Sequence, residues 1–153
     1  MSASWENRTS FLHTRPKYDG IGKTDTLKKY LSDASMGEAH KPIITLSYDV
    51  ENRSPALLSS INTPEISAVS AAMATSAAPI YYPTSKIEDG TWHIDGGIVS
   101  NNPSLIGYVE AMKHFKTDNV KVLSIGAGID RDKIDGPASK KWGALGWLRN
   151  DVI

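Results

Sequence analysis

The spacing of hydrophobic positions along this chain changes several times, and each change marks an element. Leu27, Tyr30, Leu31 and Ala34 recur at helical spacing behind Thr24 or Asp25 as N-cap. Gly37 stands where a left-handed residue ends a helix, so the pattern predicts a helix over 25–36. After Pro42 the period drops to two: Ile44, Leu46, Tyr48 and Val50 alternate with polar residues, as in a strand with one buried face. Thr63 and Pro64 fit the N-cap and first turn of a second helix running through Ile66, Val69, Ala72 and Met73 toward Ala78, where Pro79 stops it. Its alanines and serines permit close packing.

Tyr81-Tyr82 and Thr91-Trp92-His93-Ile94 read as strands flanking the turn Glu88-Asp89-Gly90. Asn101 or Asn102 caps a further helix, with Pro103 in its first turn and Leu105, Ile106, Val109 and Met112 as its buried stripe. Val120 to Ile125 is apolar on both faces, as an interior strand of a parallel sheet is, and ends in Gly126-Ala127-Gly128. Helices alternating with strands point to an α/β fold, without repeats or low-complexity tracts. Residues 1–23 are polar and turn-rich, with Arg15-Pro16 and Tyr18-Asp19-Gly20-Ile21-Gly22 as loop or hinge chemistry, so the chain reads as entering from something earlier.

Composition narrows the class. A chain of 153 residues is long enough for one domain burying roughly 70% of its unfolded surface. Lysine plus arginine and aspartate plus glutamate are both 17, with no long run of one sign, which argues against a nucleic-acid partner. The absence of cysteine excludes a disulfide framework and thiolate chemistry. The first residues, Met1 to Arg8, lack the basic start and apolar stretch of a secretory leader, and no run of 18 apolar residues occurs. A soluble cytoplasmic chain without a transmembrane segment is the default expectation.

The strongest chemical candidate is Trp92-His93-Ile94-Asp95-Gly96-Gly97, followed after three residues by Asn101-Asn102-Pro103. A strand delivers Asp95 to a turn, and two glycines let backbone approach closely. Asp-Gly is also a common turn dipeptide, and a hairpin would explain it fully. No serine sits in a Gly-x-Ser-x-Gly elbow, so the nucleophile such an acid would serve is not found. Other constellations fail. Gly126-Ala127-Gly128 lacks the third glycine of a dinucleotide loop, Arg131 standing there instead. Asp130, Asp132 and Asp135-Gly136 resemble a calcium loop, but Ile134 and Lys141 occupy ligand positions, which leaves a solvated acidic loop. His13, His40, His93 and His114 show no metal-ligand spacing. His93 shares the strand face of Asp95, either orienting it or serving as a half-exposed structural histidine.

Three stretches occur together in an informative order: Ala74-Thr75-Ser76-Ala77-Ala78-Pro79 with Tyr81-Tyr82, Asp95-Gly96-Gly97 leading to Asn101-Asn102-Pro103, and Leu123-Ser124-Ile125-Gly126-Ala127-Gly128. In order and spacing the chain resembles the C-terminal half of a patatin-like phospholipase domain, from about Arg15 through Trp142 and Trp147. Residues 24–130 match best, after a loop-rich stretch at 1–23 and before a truncated tail at 131–153. The resemblance implies a three-layer α/β/α sandwich, incomplete on its N-terminal side, and hydrolysis of fatty acyl esters in phospholipid or neutral lipid without metal or organic cofactor. In that family a serine on a strand-to-helix elbow attacks the ester, and an aspartate matching Asp95 activates it. Gly96 and Gly97 would shape its approach, and neither the elbow nor the glycine-rich oxyanion loop is present.

Serine is a poor nucleophile at neutral pH, and an aspartate with an ordinary pKa near ~4 becomes a useful base only when held against the hydroxyl. Ser76, Ser100 and Ser124 lie near the matching motifs, but none has the setting of an elbow. Removing the catalytic serine of a hydrolase of related logic costs about 10⁶ in kcat, so the chain alone is expected to be inert. It reads as a gene fragment, one half of a split enzyme, or a non-catalytic relic. The alternative of another class is a lipid-binding or protein-interaction α/β module in which Asp95 only shapes a turn. The tail Lys140 to Arg149 pairs Trp142 and Trp147 with basic residues, fitting a core-docking segment cut short or a contact peripheral to a membrane surface. A sheet missing neighbours is expected to make the isolated chain oligomerise or dissolve poorly.

Overall fold

A computed structural model describes residues 15–128 and 136–143. The chain divides into two compact units, Met1–Val122 and Leu123–Ile153. The first carries the sheet. Its strands β1 (Ile44–Asp49), β2 (Ser54–Ser59), β3 (Ser85–Lys86) and β4 (Trp92–Asp95) lie in the order β2-β1-β4-β3. All three pairings are antiparallel. The helices are α1 (Ile21–Leu31), α2 (Ala68–Thr75), α3 (Gly97–Ser100) and α4 (Ser104–Phe115), with a short 3₁₀ turn at Met36–Glu38. In the second unit the described residues hold one short helix, α5 (Gly136–Ser139). The acidic loop at Asp130 to Asp135 and the tail tryptophan Trp147 lie outside the described residues.

The alternation in 43–50 forms the strand β1, but burial does not follow it: of the apolar face only Leu46 is buried, Ile44 and Tyr48 being half-buried, while Ser47 and Asp49 are buried on the other face. Its partner β2 carries no comparable alternation, since Leu57 and Leu58 are adjacent and Pro55 interrupts the polar positions. Pairing makes it a strand: all six residues of β1 find partners from Ser59 back to Ser54. Asp49 builds the connecting turn. Its Oδ1 accepts the N–H groups of Glu51 at 2.9 Å and Asn52 at 3.0 Å, and its Oδ2 accepts Asn52 Nδ2 at 2.7 Å. These donors, Asn52 first, hold the Asp49 carboxyl below its ordinary range against the opposing effect of burial. A carboxylate with a depressed folded-state pKa stabilises the fold fully above its unfolded value, near ~4, and ceases to as pH falls through the lower folded value. Acid unfolding should therefore steepen below about pH 4 in the parent. Asp49→Asn should be less stable at neutral pH and lose that part of the acid limb, which denaturant melts at stepped pH would read.

The bounds of the first two helices differ from expectation, through local capping at the start of α1 and through contacts distant in sequence before α2. α1 begins four residues early, after Gly20 at φ 78, where Asp19 Oδ1 accepts the Ile21 N–H at 3.0 Å. It ends at Leu31 through Ser32 at φ 51, and Gly37 lies in the 3₁₀ turn instead. The second helix starts only at Ala68, capped by Ser67 Oγ on the Val69 N–H at 3.2 Å. Residues 64–66 are held away from helix geometry: the Pro64 and Ile66 carbonyls accept the N–H groups of Gly37 at 2.9 Å and Met36 at 2.7 Å. Tyr81-Tyr82 forms a turn, and the strand facing β4 is Ser85–Lys86.

α2 lies across β1, β3 and β4, with α1 packed on it. Met36, Leu58, Ile66, Ala71, Ala74 and Ile87 make the core between helix and sheet. The fold is therefore mixed α/β as expected, but its sheet is antiparallel. Val120 to Ile125 is a correction: these residues form no strand, and Leu123 and Ile125 are 83% and 84% exposed. A segment apolar on both faces becomes an interior strand only with neighbours on each side, and the described residues supply none. The α4 stripe is only partly covered: no residue of that helix is buried, Ile106 and Met112 are half-buried, and Leu105 is 72% exposed.

Candidate active site

Asp95 is the last residue of β4, and its backbone is gripped from two directions. Ser47 of β1 is its register partner. The segment leaving α2 supplies the second grip: the Asp95 N–H donates to the Ala77 carbonyl at 3.1 Å, and the Gly96 N–H to the Thr75 carbonyl at 3.4 Å. Thr75 Oγ1 donates in turn to the Leu46 carbonyl at 2.6 Å, tying the same segment to β1. Gly96 is buried where a Cβ would fall on the Leu46 carbonyl oxygen, so its lack of a side chain permits the approach.

The next residue orients the carboxylate. The Gly97 N–H donates to Asp95 Oδ1 at 2.7 Å as α3 begins. Asp95 Oδ2 has no hydrogen bond among the described residues. α3 closes through the N–H groups of Val99 and Ser100 on the Gly96 carbonyl, both at 2.9 Å. Asn102 starts α4 as the sequence indicates, its Oδ1 accepting the Ser104 N–H at 3.1 Å, with Pro103 at the N-cap.

A cavity of about 350 Å³ opens beside the carboxylate. Ile44, Leu46, Leu57 and Ile106 supply its apolar wall, while Thr75, Asp95 and Ser100 bring polar groups. Lys23 of α1 reaches toward the same region, its Nζ donating to the Ser76 carbonyl at 2.9 Å and to Ser76 Oγ at 3.1 Å. Burial pushes the Lys23 ammonium below its ordinary range, and the negative charge of Asp95 pulls it back. Neither Lys23 nor the cavity wall was visible in the sequence, because residues distant along the chain build both.

No hydroxyl among the described residues is bonded to Asp95. Ser76 Oγ donates to the Ala72 carbonyl at 2.6 Å, and Ser100 Oγ to the Asn102 carbonyl at 2.8 Å. Ser124 lies in the second unit. His93 is 2% exposed, buried more deeply than the half-exposed position expected. Its Nδ1 meets Ser47 Oγ at 2.9 Å and its Nε2 meets Thr91 Oγ1 at 2.7 Å. Thr91 Oγ1 also lies 2.6 Å from Asp89 Oδ1, to which it donates. A hydroxyl has one proton, so Thr91 accepts from His93, which places an imidazole proton on Nε2. His93 thus locks β4 to β1 two residues before Asp95.

A family profile described as patatin-like phospholipase matches residues 1–107. The chain belongs to the patatin-like phospholipase family. Patatin-like protein 3 of Arabidopsis thaliana is 27% identical over 87% of this chain and 38% of its own length. Patatin-like protein 2 of the same plant is 29% identical over 90% of this chain and 41% of its own. The cGAMP-activated phospholipase of Vibrio cholerae is 29% identical over 72% of this chain and 36% of that protein. The chain thus spans about two fifths of the length of the plant relatives it matches. Among the described residues no cluster of three or more His, Asp or Glu could hold a metal ion, and no helix is long and apolar enough to cross a membrane.

Proposed function

We propose that this chain is the aspartate-bearing part of a patatin-like lipid acyl hydrolase of α/β/α sandwich type. Asp95 is its general base, and the nucleophile is a serine on an elbow not found in these 153 residues. The observation that carries the reading is the division of labour at the carboxylate: Oδ1 is fixed by the Gly97 N–H, and Oδ2 carries no bond among the described residues, beside an apolar-walled cavity. In the acylation step Oδ2 takes the serine proton as Oγ bonds to the ester carbonyl carbon and the carbonyl electron pair moves onto oxygen. Collapse of that intermediate expels the alcohol, which takes the proton. Water then repeats the sequence, with Asp95 as base again, and frees the fatty acid. The substrates are fatty acyl esters of phospholipid or neutral lipid, and the setting is the cytoplasm, peripheral to a membrane.

A second reading has an observation of its own. A carboxylate accepting the N–H two residues ahead is also what a turn-shaping aspartate does, as in an α/β module that binds lipid or protein without catalysis. Joining the chain to an N-terminal patatin-like segment chosen because it carries a Gly-x-Ser-x-Gly elbow separates the two. Fatty acid release from phosphatidylcholine vesicles, absent from either half alone, is expected for the hydrolase. A joined protein that melts cooperatively yet releases none would favour the module.

A further inference from the structure

The turn after α2 presents an apolar side chain to solvent in a strained conformation. Ile80 has φ 74 and is 43% exposed. A β-branched residue is an outlier in the left-handed region, where strain of this kind concentrates at functional surfaces. Four backbone bonds impose it: the N–H groups of Tyr81 and Tyr82 reach the Ala78 carbonyl at 3.1 and 2.9 Å, and the carbonyls of Ile80 and Tyr81 each accept at 2.8 Å from Lys17 and Tyr18.

Aromatic and cationic groups surround that residue. The Tyr18 and Tyr82 rings lie 5.4 Å apart, and Lys17 Nζ stands 5.4 and 5.2 Å from the Tyr18 and Tyr81 rings. Ile21, at the start of α1, is 62% exposed. Charge is biased in the segment that supplies Lys17 and Tyr18: from residue 15 to residue 31 the chain holds Arg15, Lys17, Lys23, Lys28 and Lys29 against only Asp19 and Asp25, in a protein whose charges balance as a whole. Tyrosine and lysine, each with an apolar body and a polar tip, suit the headgroup level of a bilayer, and an exposed isoleucine next to them in the turn suits the acyl boundary.

We propose that Ile80, Tyr18 and Tyr81, with Lys17 among them, form a docking surface for an anionic phospholipid bilayer. Ala77, whose carbonyl holds the Asp95 N–H, lies three residues before Ile80, so docking there brings the lipid surface to the flank of the candidate site. The choice of a lipid partner rests on the acyl-hydrolase reading, but its test requires no hydrolysis. Failure of either therefore leaves the other to its own experiment.

The test is density-gradient flotation of the full 153-residue chain, in which aggregated protein does not rise, with vesicles of phosphatidylcholine alone and of an equal mixture of phosphatidylcholine and phosphatidylglycerol, at low and high salt. Preferential, salt-sensitive binding to the mixed vesicles is expected. Ile80→Gly relieves the left-handed strain, so its melting temperature should not fall, yet its binding should weaken about tenfold through loss of apolar insertion. Lys17→Gln should weaken binding about fivefold and flatten its salt dependence. Equal binding to both vesicle types, or unchanged binding in either variant, overturns the proposal, as does finding the patch buried beneath a further protein segment.

Discussion

Asp95→Asn, placed in the chain joined to an elbow-bearing half, is expected to lower kcat by about 10²–10⁴ while leaving the melting curve nearly unchanged. The two effects separate because the side chain has two oxygens in different circumstances. Asparagine keeps a carbonyl oxygen for the Gly97 N–H that Oδ1 now accepts at 2.7 Å, so the turn into α3 persists. Its other terminus becomes an amide NH₂, which donates and cannot take a proton from serine. The grip on the Asp95 backbone by Ala77 and β1 involves no side-chain atom and survives. The loss belongs in kcat, since the base acts in the transition state and contributes little to holding the ester. Lys23 offers a second readout. With the countercharge gone, its ammonium should titrate lower still, because burial then acts unopposed. If Asp95 only shapes the turn, kcat stays within a few fold of the parent.

What was legible in the sequence is what neighbours along the chain decide. β1 follows from its alternation, the turn before β4 from Gly90 at φ 92, and the start of α4 from an Asn102 side chain reaching two residues ahead. The position of Asp95 at the end of a strand is of this kind, as is the close approach that Gly96 and Gly97 suggested. The rest depends on partners far along the chain. β2 is a strand because β1 pairs with it, and residues 64–66 leave the helix because Met36 and Gly37 claim their carbonyls. The cavity wall gathers Leu46, Leu57 and Ile106 from three elements, and no local pattern announces such a meeting. Val120 to Ile125 shows the reverse error. Its apolar run predicts burial on two faces, but hydrophobicity states only what a segment would gain from cover.

Gly96→Ala is expected to destabilise the chain by about 3 kcal/mol or more, or to prevent folding, although it adds only one methyl group. Backbone conformation is not the obstacle, since φ at Gly96 is −67 and suits alanine. Space is. The added Cβ would clash with the Leu46 carbonyl, far inside van der Waals contact, and lie 2.9 Å from the Leu46 Cβ. That carbonyl cannot turn aside, because it accepts the Thr75 hydroxyl at 2.6 Å and belongs to β1, which has β2 on one side and β4 on the other. Relief therefore requires β4 to move away from β1, which breaks the Ser47 to Asp95 pairing and pulls the two strand-end N–H groups from Ala77 and Thr75. Gly97→Ala is the control one residue away. Its Cβ would meet Asp95 Oδ1 at 3.1 Å and Asn101 Oδ1 at 3.5 Å, both on side chains able to give slightly. Its cost should be at most about 1 kcal/mol. Denaturant melts of the two variants should thus differ by about 2 kcal/mol or more, with Gly96→Ala the weaker. Equal stability would mean that β4 does not press against Leu46 as described, and that the carboxylate of Asp95 is not held where the proposed base must stand.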